Sequence, residues 1–153
     1  ICLPVIRKEL SRTEKAAFTS KDFYTGKRIL LVEDEPAISK VQETILTQAP
    51  CRHHVDVAVR VKDARDLLAA NAYDLVSLDY ILDENDNGMD IYTHIRKTDE
   101  QTPIIFISGN IEFIETLTPL IRKDPLLAHL SKPCMNTEYL ETVNRMLERA
   151  QSK

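Results

Sequence analysis

The sequence predicts an α/β domain: a five-stranded parallel sheet, doubly wound, with helices on both faces. Three observations carry this. Strand-like and helix-like segments alternate five times from Lys27 onward, the pattern of a parallel sheet with crossover helices. The strand-like segments are short, nearly continuous apolar runs, as expected of strands covered on both faces. Charged and hydroxyl residues follow directly on four of those runs, at the strand ends where open α/β sheets bind ligands.

The elements follow in order. "RILLV" (28–32) reads as the first strand, and Pro36 can open a helix at its first turn. Ile38, Val41 and Ile45 keep helical spacing up to Pro50. "HHVDVAV" (53–59) is strand-like, and Val61, Ala64, Leu67 and Leu68 form the apolar stripe of a second helix. "DLVSLD" (74–79) is a third strand. Ile91, Tyr92 and Ile95 mark a third helix after an Asn87–Gly88 turn. "PIIFIS" (103–108) has the strongest β character in the chain. Residues 111–121 read as helix, with Pro119 expected to end or restart it. "LLAHLS" (126–131) is the fifth strand, and Tyr139, Leu140, Val143 and Leu147 mark the last helix.

Residues 1–26 differ from the rest. "ICLPVI" is apolar, and the following "RKELSRTEKAAFTSKDFYTG" is polar without a sustained period, so it reads as an arm or linker. The expected division is an arm (1–26), a domain (27–150) and a short tail (151–153). The first residue is Ile, which reads as a piece of a longer chain.

Composition narrows the function. In 153 residues, 43% are hydrophobic and 29% charged, which suits one domain with a full core. The net charge is −4, from 20 basic and 24 acidic residues, so no basic footprint for direct nucleic-acid binding is expected. No apolar run reaches the length of a membrane span, so no membrane contact is expected of this segment. Three scattered cysteines, Cys2, Cys51 and Cys134, suggest a reducing compartment and no disulfide framework. These readings point to a cytoplasmic segment, compatible with a membrane-anchored parent.

The strand-end residues are Glu33 and Asp34 after the first strand, Asp79 after the third, Ser108 and Gly109 after the fourth, and Lys132 and Pro133 after the fifth. Three carboxylates at buried strand ends repel one another and lose hydration. A hard divalent cation relieves this, and Mg²⁺ (or Mn²⁺) suits a site of few carboxylates. Lys132 adds a compact positive charge for an anion beside the metal. Ser108 can donate to that anion, and Gly109 leaves room for it. An Asp beside a metal and a Lys can act as a nucleophile toward phosphorus.

With "ILLVEDEP", "DLVSLD", "PIIFISG" and "SKP" in this order, residues 27–150 resemble the receiver domain of two-component response regulators. The resemblance implies a flavodoxin-like (βα)5 fold with strand order 2-1-3-4-5. It implies that Asp79 accepts a phosphoryl group from a phosphohistidine of a histidine kinase or histidine phosphotransfer domain. Glu33, Asp34, Asp79 and the backbone carbonyl of Ile81 would hold the metal, and Ser108, Gly109 and Lys132 would read the phosphate. The Lys132–Pro133 bond would be cis. Ser108 and His129 would form the switch pair, and a weak dimer is compatible with the family. Such a domain catalyses only its own phosphorylation and dephosphorylation. Residues 1–6 are similar to the end of a kinase ATP-binding domain, which reads as a receiver from a hybrid histidine kinase, a phosphorelay component.

Four departures from the family stand out. The acidic pair is Glu-Asp, and the loop after Asp79 is one residue longer and has Asp83 where the family has Pro. His129 replaces Tyr or Phe, and Pro119 and Pro125 interrupt a plain helix and a Gly-containing turn. An imidazole turned inward would need partners for two nitrogens, so His129 is expected to face outward, partly exposed, as a weak switch.

Competing readings remain. From Asp83 the chain reads D-x-N-x-N-G, half of a calcium loop, but the twelfth position, which needs a bidentate Glu, is His94. A hydrolase with an Asp nucleophile would carry a second Asp two residues on, where this chain has Ile81. The alternative function is a receiver-like interaction module that is not phosphorylated.

Overall fold

The computed structural model describes residues 24–80 and 87–151. The apolar start of the arm, Ile81 and the acidic residues 83–86 lie outside them.

The five strands are β1 (Arg28–Val32), β2 (His54–Ala58), β3 (Leu75–Asp79), β4 (Ile104–Ser108) and β5 (Leu127–Ser131). They form one parallel sheet in the order β2-β1-β3-β4-β5. The helices are α1 (Pro36–Thr47), α2 (Val61–Ala70), α3 (Gly88–Arg96), α4 (Ile111–Lys123) and α5 (Asn136–Gln151). This is the doubly wound, flavodoxin-like arrangement.

The central strands β3 and β4 are buried at every position, which is why their sequences lack a polar alternation. Successive side chains still point to opposite faces, so each strand feeds two cores. Leu30, Val76, Leu78, Ile104 and Phe106 pack with Ala64, Ile91 and Leu117 on one face. Ile29, Leu75, Ile105 and Ile107 pack with Leu46, Tyr139, Val143 and Met146 on the other.

Two turns differ from expectation. Helix α4 runs unbroken through Pro119. Proline cannot donate to the carbonyl four residues earlier, at Glu115. Pro119 and Glu115 are both exposed, so water can satisfy that carbonyl, and the apolar positions Phe113 and Leu117 hold the helix on the sheet. Asn87–Gly88 is a helix start rather than a turn. The Asn87 side chain accepts from the Asp90 N–H, and Gly88 is the first residue of α3.

At the opposite edge of the sheet from the strand-end acids, His53 and His54 point to different sides. His53 is 4% exposed and His54 is exposed, so they do not form a joint metal site. His53 Nδ1 accepts from the Lys27 N–H at 3.1 Å. Burial, joined by Lys27 and His54, pushes its pKa down to about 4, against an opposing effect of Asp74. The folded state therefore holds His53 neutral while the unfolded chain protonates it near pH 6.5. Its contribution is fully present above pH 6.5 and is lost as pH falls toward about 4, an effect of about 3 kcal/mol. Glu33, whose carboxyl is pushed up to about 7, takes up a proton on folding over much of the same window and opposes this loss. The effect is therefore read as a difference: in urea unfolding the wild type should lose stability relative to His53→Asn, whose amide oxygen can accept from Lys27, as pH falls from 6.5 toward 4. Equal pH slopes for the two proteins would show that other groups cause it.

Candidate functional site

Because all strands run parallel, the residues that follow β1, β3, β4 and β5 meet at one edge of the sheet. Glu33 is 3% exposed and its backbone N–H donates to the Ala58 carbonyl at 3.0 Å, fixing it between β1 and β2. Asp34, the next residue, is exposed. Asp79 ends the buried strand β3 and is 8% exposed. Oxygen atoms of Glu33, Asp34 and Asp79 lie within 4.8 Å of one another, and among the described residues this is the single such cluster able to hold a metal ion.

Lys132 reaches over the cluster. Its Nζ is 3.1 Å from Asp79 Oδ1 and 3.6 Å from Glu33 Oε1. Burial lowers the pKa of this amine, but Asp79 and Glu33 outweigh that and raise it, so Lys132 is held charged. The Lys132–Pro133 peptide is cis, as is Ala49–Pro50. Glu33 is pushed up to about 7, first by burial and then by the charge of Asp79, while Lys132 opposes the shift. The site thus holds more negative charge than one lysine balances.

Ser108 is 3% exposed at the end of β4. Its Oγ accepts from the Asn110 N–H at 2.9 Å, which leaves its own O–H to donate. The Ser108 carbonyl accepts from the Lys132 N–H at 3.0 Å, tying the ends of β4 and β5 together. At Gly109 an added Cβ would lie 3.7 Å from Lys132 Cβ, an ordinary contact, so no neighbouring protein atom demands glycine there.

The sequence reading missed three residues that shape the site. Gly88 is the tightest: an added Cβ would sit 2.6 Å from the Asp79 carbonyl oxygen and 2.9 Å from Phe106 Cε1. Its N–H donates to the Tyr80 carbonyl at 2.7 Å, so the start of α3 is laid directly on the backbone of Asp79 and Tyr80. The Tyr80 ring stacks on Phe113, with centroids 3.5 Å apart, and Phe113 meets Phe106 edge-on at 5.1 Å. The Asn-Gly pair ahead of an apolar helix was the readable signal for the first of these; the aromatic stack had none.

His129 meets expectation only in part. It is partly exposed, but its Nε2 is buried without a hydrogen-bond partner. Burial lowers its pKa, with the Ser108 backbone opposing the shift, so the neutral ring is favoured, at the cost of one orphaned nitrogen, about 1–3 kcal/mol.

The sequence profile of the response regulator receiver domain matches residues 29–144. This chain belongs to that family. Receiver domains are the phosphoacceptors of two-component signalling, bind Mg²⁺ at an acidic pocket and interact with histidine kinases or phosphotransfer proteins. Among curated proteins, the receiver is 37% identical over 91 residues to the transcription factor prr1 of Schizosaccharomyces pombe, covering 60% of this chain and 16% of that protein. It is 31% identical over 127 residues to the response regulator ArlR of Staphylococcus saprophyticus, covering 82% of this chain and 54% of that one. The chain thus spans about a sixth to a half of these two relatives. Among solved structures, the receiver domain of NtrX from Brucella abortus superposes with a TM-score of 0.68 at 28% identity, covering 78% of this chain and 98% of that one. A CheY-like receiver domain from Methanospirillum hungatei shares the fold with a TM-score of 0.72 at 20% identity, covering 84% of this chain and 98% of that one. No helix among the described residues is long and apolar enough to cross a membrane.

Proposed function

We propose that Asp79 is the phosphoacceptor of this receiver and takes its phosphoryl group from a phosphohistidine. The supporting observation is the Lys132–Asp79 contact at 3.1 Å inside a cluster of three carboxylates. An Asp79 oxygen attacks phosphorus, an acyl-phosphate O–P bond forms, and the P–N bond breaks. The departing imidazole nitrogen keeps the electron pair of that bond. Lys132 stays beside the attacked group and balances charge on its oxygens, while the Ser108 hydroxyl donates to one of them.

The donor set fits Mg²⁺. Glu33, Asp34 and Asp79 offer hard oxygen atoms close together, and burial, then the charge of Asp79, pushes the Glu33 carboxyl up to about 7, a strain that a bound cation would relieve. Glu33, Asp34 and Asp79 would hold the ion, with the Ile81 carbonyl as a further ligand. When bound, Mg²⁺ neutralises charge on the transferring phosphoryl group.

Large exposed apolar side chains surround this edge: Val41 on α1, Val59 beyond β2, Ile111 at the start of α4 and Met135 beyond β5. They suit a protein phosphodonor better than a small one, since such patches mark interaction sites. The similarity of "ICLPVI" to the end of a kinase ATP-binding domain supports a hybrid kinase as parent, which the full-length sequence tests.

Acetyl phosphate with Mg²⁺ is expected to give hydroxylamine-sensitive labelling, the signature of an acyl phosphate. EDTA should slow it by about 100-fold or more, and Mn²⁺ should restore it. Undiminished labelling in EDTA would refute the metal assignment, and hydroxylamine-stable labelling would refute a carboxylate acceptor.

A further inference from the structure

We infer that the stretch Ala16-Ala17-Phe18 of the arm docks in cis into the apolar groove between α1 and α5, with the Phe18 ring as its anchor. The groove has a volume of about 520 Å³ and is lined by Ile38, Val41, Ile45, Pro133 and Tyr139. Of its lining, Val41 is 49% exposed, and Met135, between the lining residues Cys134 and Asn136, is 56% exposed, a large apolar surface to leave in water.

The chain outside the described residues ends on the same face. The Tyr24 N–H donates to Asn144 Oδ1 at 2.7 Å, and the Tyr24 ring packs against the core that α1 and α5 share. Asn136, which lines the groove, Leu140 and Asn144 follow one another at i+4 spacing, so they share one face of α5. Asn144 lies eight residues from Asn136, about 12 Å along the helix. Phe18 precedes Tyr24 by six residues, a reach of up to about 20 Å. The tether therefore delivers Phe18 to the groove at an effective concentration in the millimolar range. "EKAAFTSKDF" (14–23) carries two aromatic rings, Phe18 and Phe23, and Phe23 adjoins the Tyr24 anchor and is too close to it to span the distance.

The groove borders the strand-end acids through Lys132. Docking would therefore restrict a protein phosphodonor while leaving a small one unhindered; this consequence rests on the function proposed above, whereas the docking itself does not. The test uses the full chain and its Phe18→Asp variant. Amide exchange of residues 38–46 should accelerate at least about threefold in the variant, with an unchanged melting temperature. Val41→Glu should give the same acceleration, and the double variant should add nothing further, as coupled sites do. Transfer from a phosphorylated histidine phosphotransfer domain should rise in Phe18→Asp, and labelling by acetyl phosphate should not change. Equal exchange in wild type and Phe18→Asp overturns the inference, as does groove protection that grows with protein concentration, which would mean a second copy. Failure of acetyl phosphate to label either protein would instead overturn the proposed function and leave the exchange result standing.

Discussion

The Asp79→Asn variant is expected to take up no phosphoryl group from acetyl phosphate or from a phosphorylated histidine protein. The amide is neither a nucleophile nor a good ligand for a hard cation. Lys132 and Ser108 remain, but they position and balance a group that no longer forms a bond. The variant should stay folded. Asp79 is one of the influences that raise Glu33, so removing its charge relaxes the repulsion inside the cluster, and the melting temperature should hold or rise. That control separates lost chemistry from a lost fold. Labelling of Asp79→Asn at the wild-type rate would mean that another carboxylate is the acceptor. The double variant Asp83→Asn, Asp86→Asn should label almost normally, because the proposed chemistry rests on Asp79 and assigns these acids no part in it.

Gly88→Ala is expected to lower both stability and labelling rate. Alanine is better than glycine in a helix by about 1 kcal/mol, so propensity alone predicts a gain. The space decides otherwise. The new Cβ would sit 2.6 Å from a backbone oxygen of Asp79 and 2.9 Å from the buried Phe106 ring. Neither is the free end of a flexible side chain, so the start of α3 or the end of β3 must move. Overpacking of this kind costs about 1–3 kcal/mol, and a net loss of about 2 kcal/mol would lower the melting temperature by roughly 5–10 °C. Asp79 carries the strain, so the labelling rate should fall at least about tenfold, since misplacing a reacting group by a fraction of an ångström is costly. A stabilised variant that labels normally would show that α3 yields freely and that the close approach has no consequence.

The fold was legible because strands buried on both faces must be apolar throughout. β1 was read with its observed limits, and β3, β4 and β5 to within one residue at their starts. The site was legible because chemistry sits just past those runs: Glu33, Asp34, Asp79, Ser108 and Lys132 were all found at strand ends and lie together at one edge. What was not legible depends on distances between segments remote in sequence. Nothing in "NGMD" says that Gly88 presses on the Asp79 carbonyl, and nothing near Tyr80 announces Phe113 as its stacking partner. Pro119 misled for a related reason. Its local penalty was read correctly, but whether Glu115 faces water depends on which side of α4 meets the sheet. His129 is partly exposed, as its polarity suggests, but the burial of its Nε2 depends on neighbours from other segments.

The sheet order has a consequence for biosynthesis. The acids come early in the chain, at residues 33, 34 and 79, while the lysine that faces them comes at residue 132, after β5. A growing chain that has exposed the acids but not yet Lys132 holds three carboxylates with no countercharge from the strand edge. Folding then depends on contacts between distant segments, which form late because long loops must close first. Competence to receive a phosphoryl group at Asp79, as proposed above, therefore waits on Lys132, and a chain truncated before Lys132 would carry the proposed acceptor without the amine that balances its charge.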